Sequence, residues 1–203
     1  CDAEHTINKQ GWSSDECDRC VDHYANEIAK MVYNDRSGIN KCVILFGGDL
    51  YHTLTGETTK GTALNVELVG EVQFDRIKNA IIRYVDKMLE IFETVECHFV
   101  KGNHGGATDY GLGSTLTAWY RLEPRCKWNI SKAELTQFTI YDNAIVLTHG
   151  ASADSKSRFS PTRSAHNEQM GWRIFDMMST EYGRPFKHKY IFVGDKHHAR
   201  TEE

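Results

Sequence analysis

A layered α/β domain, with helices over a mixed sheet, is the fold class this sequence predicts. Three observations lead there. In the first half, amphipathic helical periodicity alternates with short apolar runs, in the order α-β-α-β. In the second half two apolar runs flank a turn signal, Asp142-Asn143, as in a β-hairpin. Four of the apolar runs empty into a glycine-flanked Asp, Asn or His, the place where open α/β sheets carry their ligands.

Each element has its own local reason. Ser13 with Glu16 three places on is a capping box, and Val21, Tyr24, Ala25, Ile28 and Val32 follow at helical spacing. That helix is expected to reach about Arg36, where Ser37-Gly38 breaks it. Lys41 to Phe46 reads as a strand and Thr53 to Thr62 as a loop. From Val69 to Thr94, Phe74, Ile77, Ile81, Val85, Met88 and Phe92 share one face of a long helix. Val95 to Val100 is the next strand. Gly105 to Gly113 holds four glycines in nine residues and reads as a loop, followed by a short helix over Leu116 to Leu122. Leu135 to Tyr141 and Ala144 to Thr148 are the hairpin strands. Ala151 to His166 is a polar loop, Met170 to Met178 a helix, and Lys189 to Val193 the last strand.

The chain has 203 residues, which suits a single domain spanning 1–203. Net charge is −4 with neutral His, so nothing global marks a polyanion binder. The six cysteines are dispersed and form no secreted-type disulfide framework; Cys42 and Cys97 fall in apparent buried strands, where a thiol packs as a small hydrophobe. The expectation is a reducing, cytoplasmic setting without a membrane span. The chain opens at Cys1-Asp2 and closes at Glu203, with candidate site residues near both ends. It is read as a fragment, with a first strand before Cys1 and further material after Glu203.

The four junctions carry the chemistry. Val43-Ile44-Leu45-Phe46 runs into Gly47-Gly48-Asp49-Leu50-Tyr51-His52. Phe99-Val100-Lys101 runs into Gly102-Asn103-His104-Gly105. Ile145-Val146-Leu147-Thr148 runs into His149-Gly150, and Tyr190-Ile191-Phe192-Val193 into Gly194-Asp195-Lys196-His197-His198. A single Gly-Asp or His-Gly after a strand is usually a turn. Four in order, each delivering an N or O donor to one sheet edge, read as one metal site. Donors such as Asp49, Asn103, His149 and His197 suit Mn, Fe, Zn, Co or Ni rather than thiolate-selected metals.

These motifs resemble those of the calcineurin-like metallophosphoesterases, which carry D-x-H, G-D, G-N-H, H-G and G-H-x-H segments in that order. The likeness spans nearly the whole chain, and Gly102-Asn103-His104 is its most specific part. Gly48-Asp49 followed by Leu50-Tyr51-His52 further resembles the SbcD-type nuclease branch, and the Gly- and Thr-rich loop after it resembles phage-encoded members. The resemblance implies a metallophosphoesterase-like fold of mixed sheets flanked by helices, with two divalent metal ions at the strand carboxyl ends. Mn is the expected metal, with Fe, Zn, Ni and Mg as alternatives. It implies that Asp49 bridges the metals, that Asp2 and His197 serve the first, and that Asn103 and His149 serve the second. His104 corresponds to the phosphate-contacting residue or general acid; His104, Asn103 and Asp49 are thus the catalytic candidates.

Two places depart from the pattern. The first motif reads Asp2-Ala3-Glu4-His5, so His5 stands one residue late and Glu4 occupies its slot; either can ligate, and His5 is preferred. In the last motif Asp195 stands where a His is expected, which adds negative charge and favours Mn or Mg over Zn. The implied activity is hydrolysis of a phosphoester by a water activated between two metals. A diester such as DNA is the first expectation. A monoester, or a catalytically weak nucleic-acid-binding relative, is the alternative. By resemblance alone, a second copy of the chain or an ATPase partner is allowed for.

Other features read more plainly. Cys17-x-x-Cys20-x-x-His23 has ligand-like spacing but lies on a predicted helix with no second pair, so it reads as surface thiols and a histidine. Lys156, Arg158, Arg163 and His166 form a basic stretch able to grip phosphates or simply to meet solvent. Trp119, Tyr120, Trp128 and Trp172 are potential base-stacking rings, although rings in helices and strands are more often core.

Overall fold

The computed structural model describes residues 13–35, 38–51, 53, 55–57, 61–102, 104–133, 135–150, 179 and 185–194. Within them lie α1 (Ser14–Asn34), β1 (Lys41–Phe46), α2 (Gly70–Ile91), β2 (Thr94–Phe99), α3 (Gly106–Trp119), β3 (Cys126–Ile130), β4 (Leu135–Ile140), β5 (Asn143–Thr148) and β6 (His188–Val193). The class is α/β, with two small sheets in place of a single mixed one. The first has the order β1-β2-β3 and is parallel throughout. The second has the order β4-β5-β6, where β4 and β5 run antiparallel and β5 and β6 parallel.

Ser13 starts α1 as expected: its hydroxyl accepts the Glu16 N–H at 3.2 Å. The helix lies along α2, and the seam is bound by charges at helical spacing. Arg76 meets Asp15 and Asp18, and Arg83 meets Asp18 and Asp22. Arg76 and Asp18 are half-buried and Asp15 and Asp22 are exposed, so the pairs fix the alignment of the helices more than their stability. The apolar face of α2 is the one the periodicity marks. Ile81, Val85, Met88 and Phe92 are buried, and Phe74 and Ile77 pack against them. The helix stops at Ile91, short of Thr94, because Thr94 and Val95 are taken into the ladder with Lys41 and Cys42.

The segment read as a glycine loop is helical. α3 runs from Gly106 through Gly111 and Gly113 to Trp119. Each interior glycine costs about 1 kcal/mol relative to alanine in a helix. Tertiary burial outweighs this, since Leu112 and Leu116 are fully buried in the main core. Gly113 also lets the helix approach β3, because a Cβ there would come within 3.0 Å of Ile130 Cδ1. Leu116→Ala is expected to lower stability by about 2–5 kcal/mol, read as a shift in the urea midpoint at constant slope.

Three further differences from the sequence reading have local causes. β3 was not anticipated: Cys126–Ile130 is only five residues long, and it forms by pairing Val95 through Phe99 with Cys126 through Ile130. The hairpin loop is Tyr141-Asp142, one residue earlier than expected, with Ile140 paired to Asn143. Tyr141 has φ +50°, the sign that primed hairpin turns need at their first loop position. β6 reads as a buried strand, yet all six of its residues are exposed. Among the described residues it pairs only with β5, at the edge of its sheet.

Of the aromatic candidates, Tyr120 is buried and its hydroxyl donates to the Ile82 carbonyl. Trp128 stacks with Phe46 and Tyr120, while Trp119 is exposed; Trp172 lies outside the described residues. Cys97 and Cys126 are buried free thiols and Cys42 is half-buried, as small hydrophobes in a core should be. Cys17 and Cys20 stand on α1 without a disulfide, and His23 is exposed. Among the described residues no helix is long and apolar enough to cross a membrane.

Candidate functional site

The carboxyl ends of β1, β2, β5 and β6 converge. Gly194, after β6, donates its N–H to the Thr148 carbonyl of β5 at 3.0 Å. A Cβ on Gly47, after β1, would lie 3.0 Å from Gly194 Cα, so the two exits touch backbone to backbone. Val100, leaving β2, donates to the Phe46 carbonyl of β1 at 3.1 Å. Elsewhere the two sheets meet where His98 of β2 stacks on Phe138 of β4.

Asp49 sits at the centre of this convergence, and its two carboxylate oxygens face different ways. Oδ1 accepts the N–H of His104 at 2.8 Å and of Gly105 at 3.0 Å, both from the β2 exit. Oδ2 lies 3.0 Å from His149 Nε2, from the β5 exit. Residues 100 positions apart in the chain are thereby in direct contact. Burial disfavours the charged carboxylate, but the His149 hydrogen bond and the Gly105 and His104 amides outweigh it. The Asp49 pKa is held below the usual carboxylate value.

His149 is buried, and its orientation is settled by the atom behind it. Nδ1 lies 2.7 Å from the Gly47 carbonyl oxygen, which can only accept, so Nδ1 carries the proton. Nε2 then meets the Asp49 carboxylate either as an imidazolium N–H or as a lone pair. A neutral ring turns two acceptors toward each other across 3.0 Å, an arrangement that calls for a cation. With a neutral His149 the pair would suit a divalent metal; with a protonated ring it is closed as a salt bridge. The Gly47 carbonyl is the group that orients His149 from behind, a partner that residue types alone could not identify.

Close backbone approach explains two of the glycines. Gly48 has φ +83°, and a Cβ on it would collide with the backbone of Lys101 and Gly102. A Cβ on Gly102 would overlap the Asp49 carboxylate and amide. Asp49 itself has φ +51°, a left-handed conformation that Asp tolerates better than most residues.

One residue of the site was missed by the sequence reading. Asp109, on the first turn of α3, is fully buried, and its Oδ2 accepts the N–H of both Asp49 and Gly102 at 2.8 Å. Burial raises its pKa above the usual carboxylate value, against the lowering effect of those amides. Burial, and then the Asp109 charge, also push the Tyr51 hydroxyl upward. The only sequence signal was an acidic residue placed among glycines, in a stretch whose glycines argued against a helix.

Of the residues predicted to bind metal or act in catalysis, the structure brings together Asp49, His149 and the His104 backbone. The His104 side chain is exposed beside them. Asp2, His5, Asn103, Asp195 and His197 lie outside the described residues, as do Glu4, His52 and the basic stretch from Lys156 to His166. Among the described residues no group of three or more His, Cys, Asp or Glu side chains is arranged to hold a metal. A cavity of about 540 Å³ between α1, α2 and the β1 exit is lined by Val21, Tyr24, Phe46, Leu50, Ile77 and Tyr84 among others; it includes neither Asp49 nor His149. Compared with protein-family models, curated proteins and solved structures, the chain matched none.

The low pKa of Asp49 has a measurable consequence. Its contribution to stability is present above the unfolded value near 3.8 and is lost as pH falls through the lower folded value. Asp109 works in the opposite sense. Its folded pKa is raised, so its contribution improves as pH falls through that value toward 3.8. Asp49→Asn is therefore expected to lose less stability than the unmodified chain below about pH 4. Urea midpoints taken in chelator from about pH 5 downward check this, and parallel acid limbs for the two proteins would refute it.

Proposed function

We propose that this chain is a metal-dependent phosphoester hydrolase with a metallophosphoesterase-like fold, and that its substrates are phosphodiesters, DNA among them. The observation that carries the reading is the Asp49–His149 contact at 3.0 Å, with His149 Nδ1 committed to the Gly47 carbonyl. That arrangement turns a carboxylate oxygen and an imidazole lone pair toward one point at the strand exits. The order of the four motifs along the chain supplies the rest of the proposed ligand set.

In this reading Asp49 and His149 hold metal together with Asp2, His5, Asn103, Asp195 and His197. Two bound divalent cations, Mn in the first instance, would supply Lewis acidity and lower the pKa of a water toward neutrality. The chain's own residues do the remaining work. Asp49 keeps its negative charge at neutral pH because the His104 and Gly105 amides donate to it. His149 is kept in one tautomer by Gly47. Asn103 offers an amide to the non-bridging phosphate oxygens as their charge grows. His104, exposed next to the carboxylate its amide binds, gives a proton to the leaving oxygen. The basic stretch Lys156, Arg158, Arg163 and His166 follows directly on His149-Gly150 and favours a polyanionic substrate over a small monoester.

The test is an assay of the full-length protein with Mn against bis-p-nitrophenyl phosphate, p-nitrophenyl phosphate, and labelled single- and double-stranded DNA. Cleavage of the diester or of DNA is expected, and Asn103→Ala and His104→Ala are each expected to abolish it. Turnover of the monoester alone would replace this reading with a phosphomonoesterase. No turnover with any divalent metal would end the enzymatic reading.

A further inference from the structure

Asp109 belongs to none of the four motifs, yet its carboxylate touches two of them. Oδ2 accepts the N–H of Asp49 at 2.8 Å and the N–H of Gly102 at 2.8 Å. The first amide belongs to the residue whose carboxylate faces His149. The second opens the loop whose His104 and Gly105 amides bind that same carboxylate. The contacts are therefore reciprocal: Asp109 holds the Asp49 backbone, and the Asp49 side chain holds the backbone that follows Gly102. α3 anchors the arrangement, with Leu112 and Leu116 locked in the core one and two turns beyond Asp109.

The energetics favour a purpose beyond packing. A fully buried carboxylate is costly unless it is well bonded. Here only one oxygen is served; Oδ1 is buried and has no hydrogen-bond partner among the described residues, and the same holds for the Tyr51 hydroxyl. Asp49 also occupies a left-handed conformation at φ +51°, and Gly48 and Gly102 press backbone on backbone. Such a conformation persists only where its surroundings over-determine it. The amide of Asp49 donating into Asp109 is one of those constraints.

We propose that Asp109 is a positioning residue: its carboxylate joins the β1 and β2 exit loops into one rigid cradle and sets the direction in which Asp49 presents Oδ2 to His149. It touches neither substrate nor metal. Its effect on metal affinity rests on the phosphoesterase reading; its effect on the loops does not.

The experiment separates the two. In metal-free full-length protein, amide hydrogen exchange is followed residue by residue by NMR. The Asp49 and Gly102 amides are expected to be slow and shifted downfield, and exchange at solvent-like rates in the unmodified chain would already overturn the proposal. Asp109→Ala is expected to speed exchange at those two amides about 10- to 100-fold, the loss of a charge-assisted hydrogen bond. Amides within β1 and β2 should keep their protection. A merely structural residue would instead slow or speed all of them together, and that result would refute the assignment. Asp109→Asn keeps an oxygen acceptor for both amides, so it is expected to restore most of the protection. A loss in Asp109→Asn equal to that in Asp109→Ala would count against the clamp. Mn titration by calorimetry then reads the consequence, with affinity lowered about 10- to 100-fold in Asp109→Ala and largely recovered in Asp109→Asn. An unmodified chain that binds no Mn would overturn the phosphoesterase reading while leaving the exchange result to judge the clamp.

Discussion

Asp49→Asn is expected to lose Mn binding and diester cleavage together while the chain stays folded. The substitution preserves shape. A carbonyl oxygen remains to accept the His104 and Gly105 amides, which Asp49 Oδ1 receives at 2.8 and 3.0 Å. What disappears is the negative charge, and with it the second oxygen that faces His149 Nε2 at 3.0 Å. An Asn NH2 in that place would donate to the Nε2 lone pair and occupy it. Removing an outer partner of a metal ligand typically costs about 10–100-fold, so removal of a ligand's charge should exceed about 100-fold in both affinity and turnover. Calorimetry with Mn and the diester assay measure the two effects, and circular dichroism checks the fold. If Asp49→Asn bound Mn as tightly as the unmodified chain, the carboxylate would be a loop fastener and the site would have to be sought elsewhere.

The second large effect is expected at Gly102. An added methyl would overlap the Asp49 Oδ1, Cγ and backbone N, and the last of these cannot swing aside. Overpacking of this kind costs roughly 1–3 kcal/mol. Gly102→Ala should fall at the upper end, because the displaced atoms also bond His104, Gly105 and Asp109. For a chain of this size that corresponds to a fall in melting temperature of about 6–12 °C. The informative control is Gly111→Ala, the same chemical change in the middle of α3. Nothing lies within 4 Å of a Cβ at Gly111, and its φ is not in the left-handed region. There the methyl should stabilise the helix by about 0.5–1 kcal/mol. Thermal melts of the two variants should therefore move in opposite directions. A harmless Gly102→Ala would show that the β1 and β2 exits are not pressed together as described.

Legibility varied along the chain for reasons that can be named. α1, β1, α2, β2 and the β4–β5 hairpin were visible because each has a local signal that burial reinforces: a capping serine, a period of 3.6 residues, or a short apolar run between turn residues. Their ends shifted by one to a few residues where strand pairing competed with helix or turn, as at Thr94 and Tyr141. α3 was misread because helix propensity is local, while the burial of Leu112 and Leu116 and the approach of Gly113 to Ile130 are not. The exposure of β6 was misread for the converse reason: an apolar run records what a strand can bury, and its neighbours decide whether it does.

The candidate site divides along the same line. Residue type and glycine spacing alone picked out Asp49 and His149, because a sharp turn after a strand and an N or O donor are both written in the sequence. Tertiary structure alone decided that these two side chains meet at 3.0 Å, that the Gly47 carbonyl sets the His149 tautomer, and that Asp109 holds the loops. The physical reason is that backbone amides and carbonyls are the partners in the last two cases. Every residue carries those groups, so no pattern of side chains can announce which of them a buried Asp or His will find.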